Sequence, residues 1–235
     1  MEIKKGKLLI EGGTKKIYTT TEPDVLIMHF KDDVISSTGK ILGKIKKKGI
    51  TSARLNELIY QYLESYHVPT HWVEPSKPGE FVVKSCQILP LIVTMHNEVT
   101  SNLSKRYGLD ADMTLQYPIL ELNLKNAKLK NPLLNSDHAC AFGFTSTEHI
   151  QSIENLARKI NAVLKSFFKR RNLILVQVCL EFGLLDDQIV LTDEISLDTC
   201  RFWGESEDGI DKKLFDQDLE KNFEEAYSQF EARLA

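Results

Sequence analysis

The sequence has no cysteine pair at a metal-binding spacing: Cys86, Cys140, Cys179 and Cys200 are scattered through 235 residues. Neither a zinc knuckle nor a small disulfide scaffold is compatible with that scatter, and a reduced, cytoplasmic setting is expected. Basic charge is not in excess, with 30 Lys and Arg against 33 Asp and Glu and a formal net charge of -3. A nucleic-acid partner is therefore not expected. Long apolar runs are missing too, so no membrane-spanning helix is predicted, and the opening "MEIKKGKLLIEGG" lacks the apolar core of a signal peptide. Repeats and low-complexity tracts are absent. What remains is an ordinary globular composition, 42% hydrophobic and 27% charged, on a chain able to form one large domain or two lobes.

Residues 7-30 read as a meander of short strands, "KLLIE", "KKIYTT" and "VLIMHF", with Gly12-Gly13 in the first turn. The following "VISSTGKILGKIKKKG" is polar and glycine-punctuated, with five lysines from Lys40 to Lys48, and is expected to be a loop. "ITSARLNELIYQYLESYH" sets Leu55, Leu58, Ile59, Tyr62 and Leu63 at helical spacing, with Thr51 or Ser52 as the expected cap. A long strand pair broken near Pro90, a short helix ended by Gly108 and a strand "ILELNL" follow. In that strand Leu120, Leu122 and Leu124 are predicted inward and Glu121 and Asn123 outward, leaving Lys125 at the exposed end. An amphipathic helix is predicted from Ser146 to Arg170, then a hairpin, and the tail reads as another helix. The fold class is α+β with antiparallel sheets, and a lobe boundary is expected near Lys84 to Cys86, giving 1-84 and 85-235.

Two features carry chemistry. The strand reaching Glu181 and the strand ending at Asp193 are joined by the turn "LLDDQ", so antiparallel pairing can bring both acids to one ligand. Hard cations such as Mg2+ are held by one or two carboxylates with a ligand's phosphate oxygens; the plainer reading is two solvated acids at a strand edge. The second feature is "IEGGTKKIY", a glycine turn followed by lysines, which can lay N–H groups and an ammonium against phosphates. Many hairpins have such turns without that role.

Taken in order, "EGGTKKIY", "FKDD", "NEVTSNLSKRYG", "PILELNLKN", "NPLLNSDH", "LILVQVCLEFG" and "TDEISLDTCRFW" resemble the SAICAR synthetase family over nearly the whole chain. The resemblance implies a kinase-like antiparallel N-terminal lobe and an ATP-grasp-like C-terminal lobe, with a nucleotide between them. It implies an ATP- and Mg2+-dependent amide ligase of purine biosynthesis, joining aspartate to a carboxylated aminoimidazole ribotide through an acyl phosphate. By the same resemblance Lys15 and Lys125 are catalytic and lie on the nucleotide side. Gly12, Gly13 and the hinge residues Lys84, Ser85 and Cys86 also face ATP. Glu181 and Asp193 are the metal acids, and the enzyme is a homo-oligomer.

Departures from the family pattern cluster on the acceptor side. The first lysine of "GKAK" is Gly13 here. "RNxxAGS" reads "HNEVTSN", so His96 and Asn102 stand where an arginine and a serine would meet the ribotide phosphate, while Arg201 matches the other phosphate arginine. A protonated His96 could replace part of the lost charge. "DFKLEFG" reads "QVCLEFG", placing Gln177 and Cys179 where an aspartate and a lysine are usual, and "SPD" reads Ser196-Leu197-Asp198; by the resemblance Gln177, Cys179 and Asp198 join His96, Asn102 and Arg201 as the substrate-binding residues. The loop reads "VISSTG" in place of "TAFNG", an asparagine pair is Ser52-Ala53, and "KND" is Lys125-Asn126-Ala127. These changes raise an alternative: a divergent paralogue that binds nucleotide but has another acceptor or no ligase turnover. Cys179 alternates with Val178 and Leu180, as a small core residue does, and the histidines have no ligand spacing.

Overall fold

In the computed structural model the described residues are 3-35, 41-110, 113, 115-212, 215 and 223-234. Most of the "VISSTG" segment and the first half of the tail lie outside them. Fourteen strands and five α-helices are present among the described residues: β1 (Lys5–Glu11), β2 (Lys15–Thr20), β3 (Val25–Phe30), β4 (Asp33–Ile35), β5 (Ile41–Lys44), α1 (Lys48–Ser65), β6 (Trp72–Pro75), β7 (Glu80–Lys84), β8 (Gln87–His96), α2 (Ser101–Tyr107), β9 (Ile119–Leu124), β10 (Leu133–Leu134), α3 (Ser136–Ala141), α4 (Thr147–Lys169), β11 (Leu173–Leu185), β12 (Gln188–Leu191), β13 (Cys200–Ser206), β14 (Gly209–Asp211) and α5 (Phe223–Leu234). No described helix is long and apolar enough to cross a membrane.

The chain forms two compact units, each discontinuous in sequence. Unit 1 gathers residues 1-86, Glu194–Asp198 and Phe215–Ala235, and unit 2 holds Gln87–Asp193 and Thr199–Leu214. Spatial contact, rather than chain order, returns the short 194-198 stretch and α5 to the first unit, which a single cut in the sequence leaves out.

Unit 1 is built on a five-stranded antiparallel sheet ordered β1-β2-β3-β7-β6. Phe30, Phe81 and Tyr60 of α1 form its aromatic core, with Phe30 and Phe81 edge to face at 5.2 Å. The expected loop after Phe30 is in part a second, two-stranded sheet of β4 and β5. Helix α1 begins earlier than its Thr51 or Ser52 cap predicted. Asp32 does the capping from outside the helix, its carboxylate accepting from Gly49 N at 2.9 Å and Lys47 N at 3.2 Å. The buried face of α1 is also turned from the one predicted: Ser52, Ala53, Asn56, Ile59, Tyr60 and Leu63 are buried, and Leu58 is exposed. Asn56 is drawn inside because its side chain serves two backbone groups, accepting from Ile195 N at 2.7 Å and donating to Ser52 O at 2.9 Å.

Unit 2 carries a seven-stranded sheet, β10-β9-β8-β11-β13-β14 with β12 added to β11. Helix α4 supplies Ile150, Ile153, Ala157, Ile160, Leu164 and Phe167 to the core, and Ser146, the predicted first residue, is its cap, accepting from His149 N at 3.1 Å. The β11–β12 hairpin turns through Asp186 and Asp187, both left-handed at φ 46° and 65°. Two positive φ values in a two-residue loop match the strand twist, and aspartate tolerates them. Gly108 ends α2 at φ 65°, also as predicted.

Candidate functional site

Unit 1 places the glycine turn and Lys15 at one end of its sheet. Gly12 N donates to Lys15 O at 2.8 Å, closing the turn, and a side chain at Gly13 would meet the Ile35 methyls at 3.2 Å. Lys15 and Lys16 are neighbours on β2 and so point to opposite faces. Lys16 pairs in register with His29, whereas Lys15 Nζ lies 3.2 Å from Glu194 Oε1. Glu194 has a side chain only 1% exposed, and the same oxygen accepts from Thr14 Oγ1 at 2.7 Å. Asp198, four residues on, is tied to Lys48 at 2.5 Å with both side chains buried. Burial raises the Asp198 carboxyl to about 6, the Glu194 charge adds to this, and Lys48 opposes it. Asp198 thus has its contacts inside unit 1. Of the residues expected at the hinge, Lys84 ends β7 and its N donates to His71 O at 2.7 Å; Ser85 N donates to Asp24 O at 2.8 Å, and Cys86 is half-buried, its thiol pKa raised by burial.

In unit 2 a proline shapes the corresponding end. Between its pairings Ile92↔Glu181 and Ile88↔Gly183, β8 carries extra residues including Pro90, which has no N–H for the ladder. The Pro90 carbonyl instead accepts from Lys125 N at 2.9 Å. Lys125 follows the last residue of β9 and is exposed as predicted, and its ammonium forms an ion pair with Glu181 of β11. The side chains are 45% and 17% exposed, an open pair beside the strand between them. Thr192 N donates to Glu181 O at 3.0 Å, so Asp193 comes one residue beyond that bond and is half-buried. Among the described residues no group of three or more acids, histidines or cysteines could hold a metal by itself.

The acceptor-side candidates line part of the same sheet. Gln177 pairs in register with both His96 and Arg201, and Cys179 with Thr94. Gln177 Nε2 donates to Cys179 Sγ at 3.5 Å, and Thr94 Oγ1 lies 3.7 Å from that sulfur. Cys179 is half-buried, and burial of its thiol raises the pKa. Asn102 is exposed on α2.

His96 is 4% exposed, with Nε2 3.1 Å from Glu121 Oε2. Burial pushes its pKa down against the pull of Glu121, so the protonated form is disfavoured at neutral pH. Glu121, predicted to face outward, is instead covered by His96 and by an ion pair with Arg106 of α2. Burial pushes its pKa up, and Arg106 and His96 together outweigh that and hold it low. Glu121, Arg106, Thr14, Glu194 and Lys48 were given no site role from the sequence. The quoted segment "NEVTSNLSKRYG" held Arg106 and "TDEISLDTCRFW" held Glu194, but their partners are distant in the chain.

Unit 1 thus holds a glycine turn with a lysine braced by a buried glutamate, and unit 2 holds an open lysine–glutamate pair. The chain belongs to the SAICAR synthetase family, whose model matches residues 8–234. It is similar to the phosphoribosylaminoimidazole-succinocarboxamide synthase of Chlorobaculum parvum, 40% identical over 97% of each chain, and to that of Thermoanaerobacter sp., 37% identical over 99% of each. The fold matches the crystal structure of the synthase from Ehrlichia chaffeensis with a TM-score of 0.88 at 30% identity, covering 97% of this chain and 98% of that one. A SAICAR synthetase in complex with ADP matches with a TM-score of 0.87 at 35% identity, covering 100% of this chain and 97% of that one. The SAICAR synthetase fold, α+β with antiparallel sheets, is therefore the fold of this chain.

Proposed function

We propose that this chain is an ATP-dependent amide ligase that makes the succinocarboxamide ribotide of purine biosynthesis. The observation that carries the reading is likeness along the full length, at 36–40% identity, to enzymes named for that reaction. The two lysine–glutamate pairs support it.

In the proposed reaction the ribotide carboxylate attacks the γ-phosphorus of ATP, the bond to the β-phosphate oxygen breaks, and ADP leaves. The aspartate amine then attacks the acyl phosphate, forms the amide and expels inorganic phosphate, losing its proton. Negative charge grows on the transferring phosphoryl oxygens and on the leaving group, so fixed cations lower the barrier. Lys15 and Lys125 are assigned that role, with Gly12 and Gly13 offering N–H groups to phosphate and Lys84, Ser85 and Cys86 at the adenine side. Glu181 and Asp193 fit a divalent ion: both offer hard oxygens, they follow one another across the Thr192–Glu181 bond, and the missing ligands would be phosphate oxygens. Mg2+, when bound there, supplies charge neutralisation at the phosphates.

On the acceptor side His96, Asn102, Gln177, Cys179 and Arg201 are assigned to the ribotide and aspartate. Arg201 is the fixed cation of that set. Asp198, held by Lys48, completes the substrate-side set. The test is ADP release with ATP and Mg2+: the proposal requires release that depends on both the carboxylated ribotide and aspartate. Release without that dependence, or none, rejects it.

A second reading is favoured by one observation: Cys179 is a half-buried thiol, hydrogen-bonded by Gln177 and beside Thr94, at the position where the resemblance expects a lysine. It is that of a paralogue with a changed acceptor or without turnover. Under it nucleotide raises the melting temperature while ADP release stays flat with the standard substrates.

A further inference from the structure

We infer that Glu194 is a positioning residue that orients Lys15, a role resting on the reading of Lys15 as a phosphate-facing cation. A lysine has a flexible four-carbon stem, and holding its ammonium in one place costs rotamer entropy that a fixed partner can absorb before any ligand arrives. Glu194 is such a partner. Its Oε1 takes both the Lys15 ammonium at 3.2 Å and the Thr14 hydroxyl at 2.7 Å, and its side chain is 1% exposed.

The stretch that carries Glu194 is itself held at several points within unit 1. Asn56 Oδ1 accepts from Ile195 N at 2.7 Å, and Asp198 N donates to Ser196 Oγ at 3.1 Å. At the far end of the stretch Lys48 Nζ binds Asp198 Oδ2 at 2.5 Å and donates to Asp33 O at 3.0 Å. The Tyr227 ring of α5 lies 5.1 Å from the same ammonium. Ile195 and Leu197 are each 1% exposed and anchor the stretch between these polar contacts. Glu194 is therefore fixed from both sides, by its own hydrogen bonds and by the chain that follows it. Lys15 has a 16% exposed side chain and is the member of the pair that reaches outward.

A strut that merely stabilised unit 1 would have the same contacts, so the test must separate the two. It is a double-mutant cycle on the dissociation constant of a non-hydrolysable ATP analogue with Mg2+, measured by calorimetry, on wild type, Lys15→Met, Glu194→Gln and the double variant. This readout needs no turnover. Glutamine keeps the shape and can still accept from Thr14, while the charge facing Lys15 is lost. Glu194→Gln is expected to weaken binding about tenfold, the size of one charge-assisted contact, and the double variant should bind as Lys15→Met does alone. A full further loss on adding Glu194→Gln to Lys15→Met overturns the inference alone, as does wild-type affinity in Glu194→Gln. Wild-type affinity in Lys15→Met overturns the reading of Lys15 and the inference with it. Should Glu194→Gln not fold, Thr14→Val takes its place: a smaller loss that vanishes in the Lys15→Met background sustains the inference, and a loss that persists there, or none at all, overturns it.

Discussion

Each unit holds a lysine–glutamate pair near its candidate residues, and the two pairs differ in burial. In unit 1 the glutamate of the Lys15–Glu194 pair is 1% exposed, and the buried Lys48–Asp198 pair holds the same stretch of chain. In unit 2 the Lys125–Glu181 pair is open, at 45% and 17% exposure. Breaking a buried pair strands a charge where water cannot reach it, while an exposed pair exchanges freely with solvent. The buried Lys48–Asp198 contact therefore holds structure, and under the proposed function the open pair is the one whose lysine and carboxylate turn to phosphate and metal.

That contrast breaks most sharply at Lys48. Lys48→Met should cost roughly 3-5 kcal/mol of folding stability, the penalty for an unpaired buried carboxylate, read from denaturant unfolding. Its counterpart in unit 2, Lys125→Met, should change stability by no more than about 1 kcal/mol. Its loss falls on chemistry: kcat/KM for ATP is expected to drop on the order of 10²- to 10³-fold, as when one charge-stabilising donor is removed. If Lys125→Met instead unfolds the protein while Lys48→Met does not, the comparison is inverted. A smaller effect is expected at Asn56. Asn56→Ala leaves the buried Ile195 N–H without its acceptor and should cost roughly 1-3 kcal/mol, again by denaturant unfolding.

The smallest effect concerns pH. The His96 imidazole titrates below its ordinary value in the folded protein because it is buried. As pH falls through the unfolded value of about 6.5, the unfolded chain takes up a proton that the native His96 does not, so native stability declines on the acid side. The contribution is present above that pH and is lost on going below it, until the lower folded value is reached. His96→Gln should flatten this acid-side fall in melting temperature. An unchanged slope would mean that His96 is not the group responsible.

Short-range patterns were legible in the sequence. The meander of β1 to β3, the start of α4 near Ser146, the Gly108 stop and the hairpin turn at Asp186-Asp187 each depend on a few adjacent residues. Lys125 was placed at its strand end by alternation alone. What escaped were contacts between residues far apart in the chain. Glu194 meets Thr14 across 180 positions and Lys48 meets Asp198 across 150, and no local period encodes either. Helix α1 shows the same limit. Its apolar spacing gave a face through Leu58, but Asn56 had to turn inward to satisfy Ile195 N, and Asp32 capped it from a preceding strand connection. Glu121 was read outward by strict alternation because its cover, Arg106, comes from a neighbouring helix. The family resemblance supplied the candidate residues that spacing alone left open.

The central claim is that an acceptor carboxylate is activated by ATP as an acyl phosphate before the amine attacks. It is tested most directly with 18O in both oxygens of the ribotide carboxylate, by mass spectrometry of the phosphate released on reaction with ATP and aspartate. The account predicts one 18O atom in each inorganic phosphate formed alongside the amide. Phosphate released without label would show that the carboxylate oxygen never bonded to phosphorus, and would contradict it.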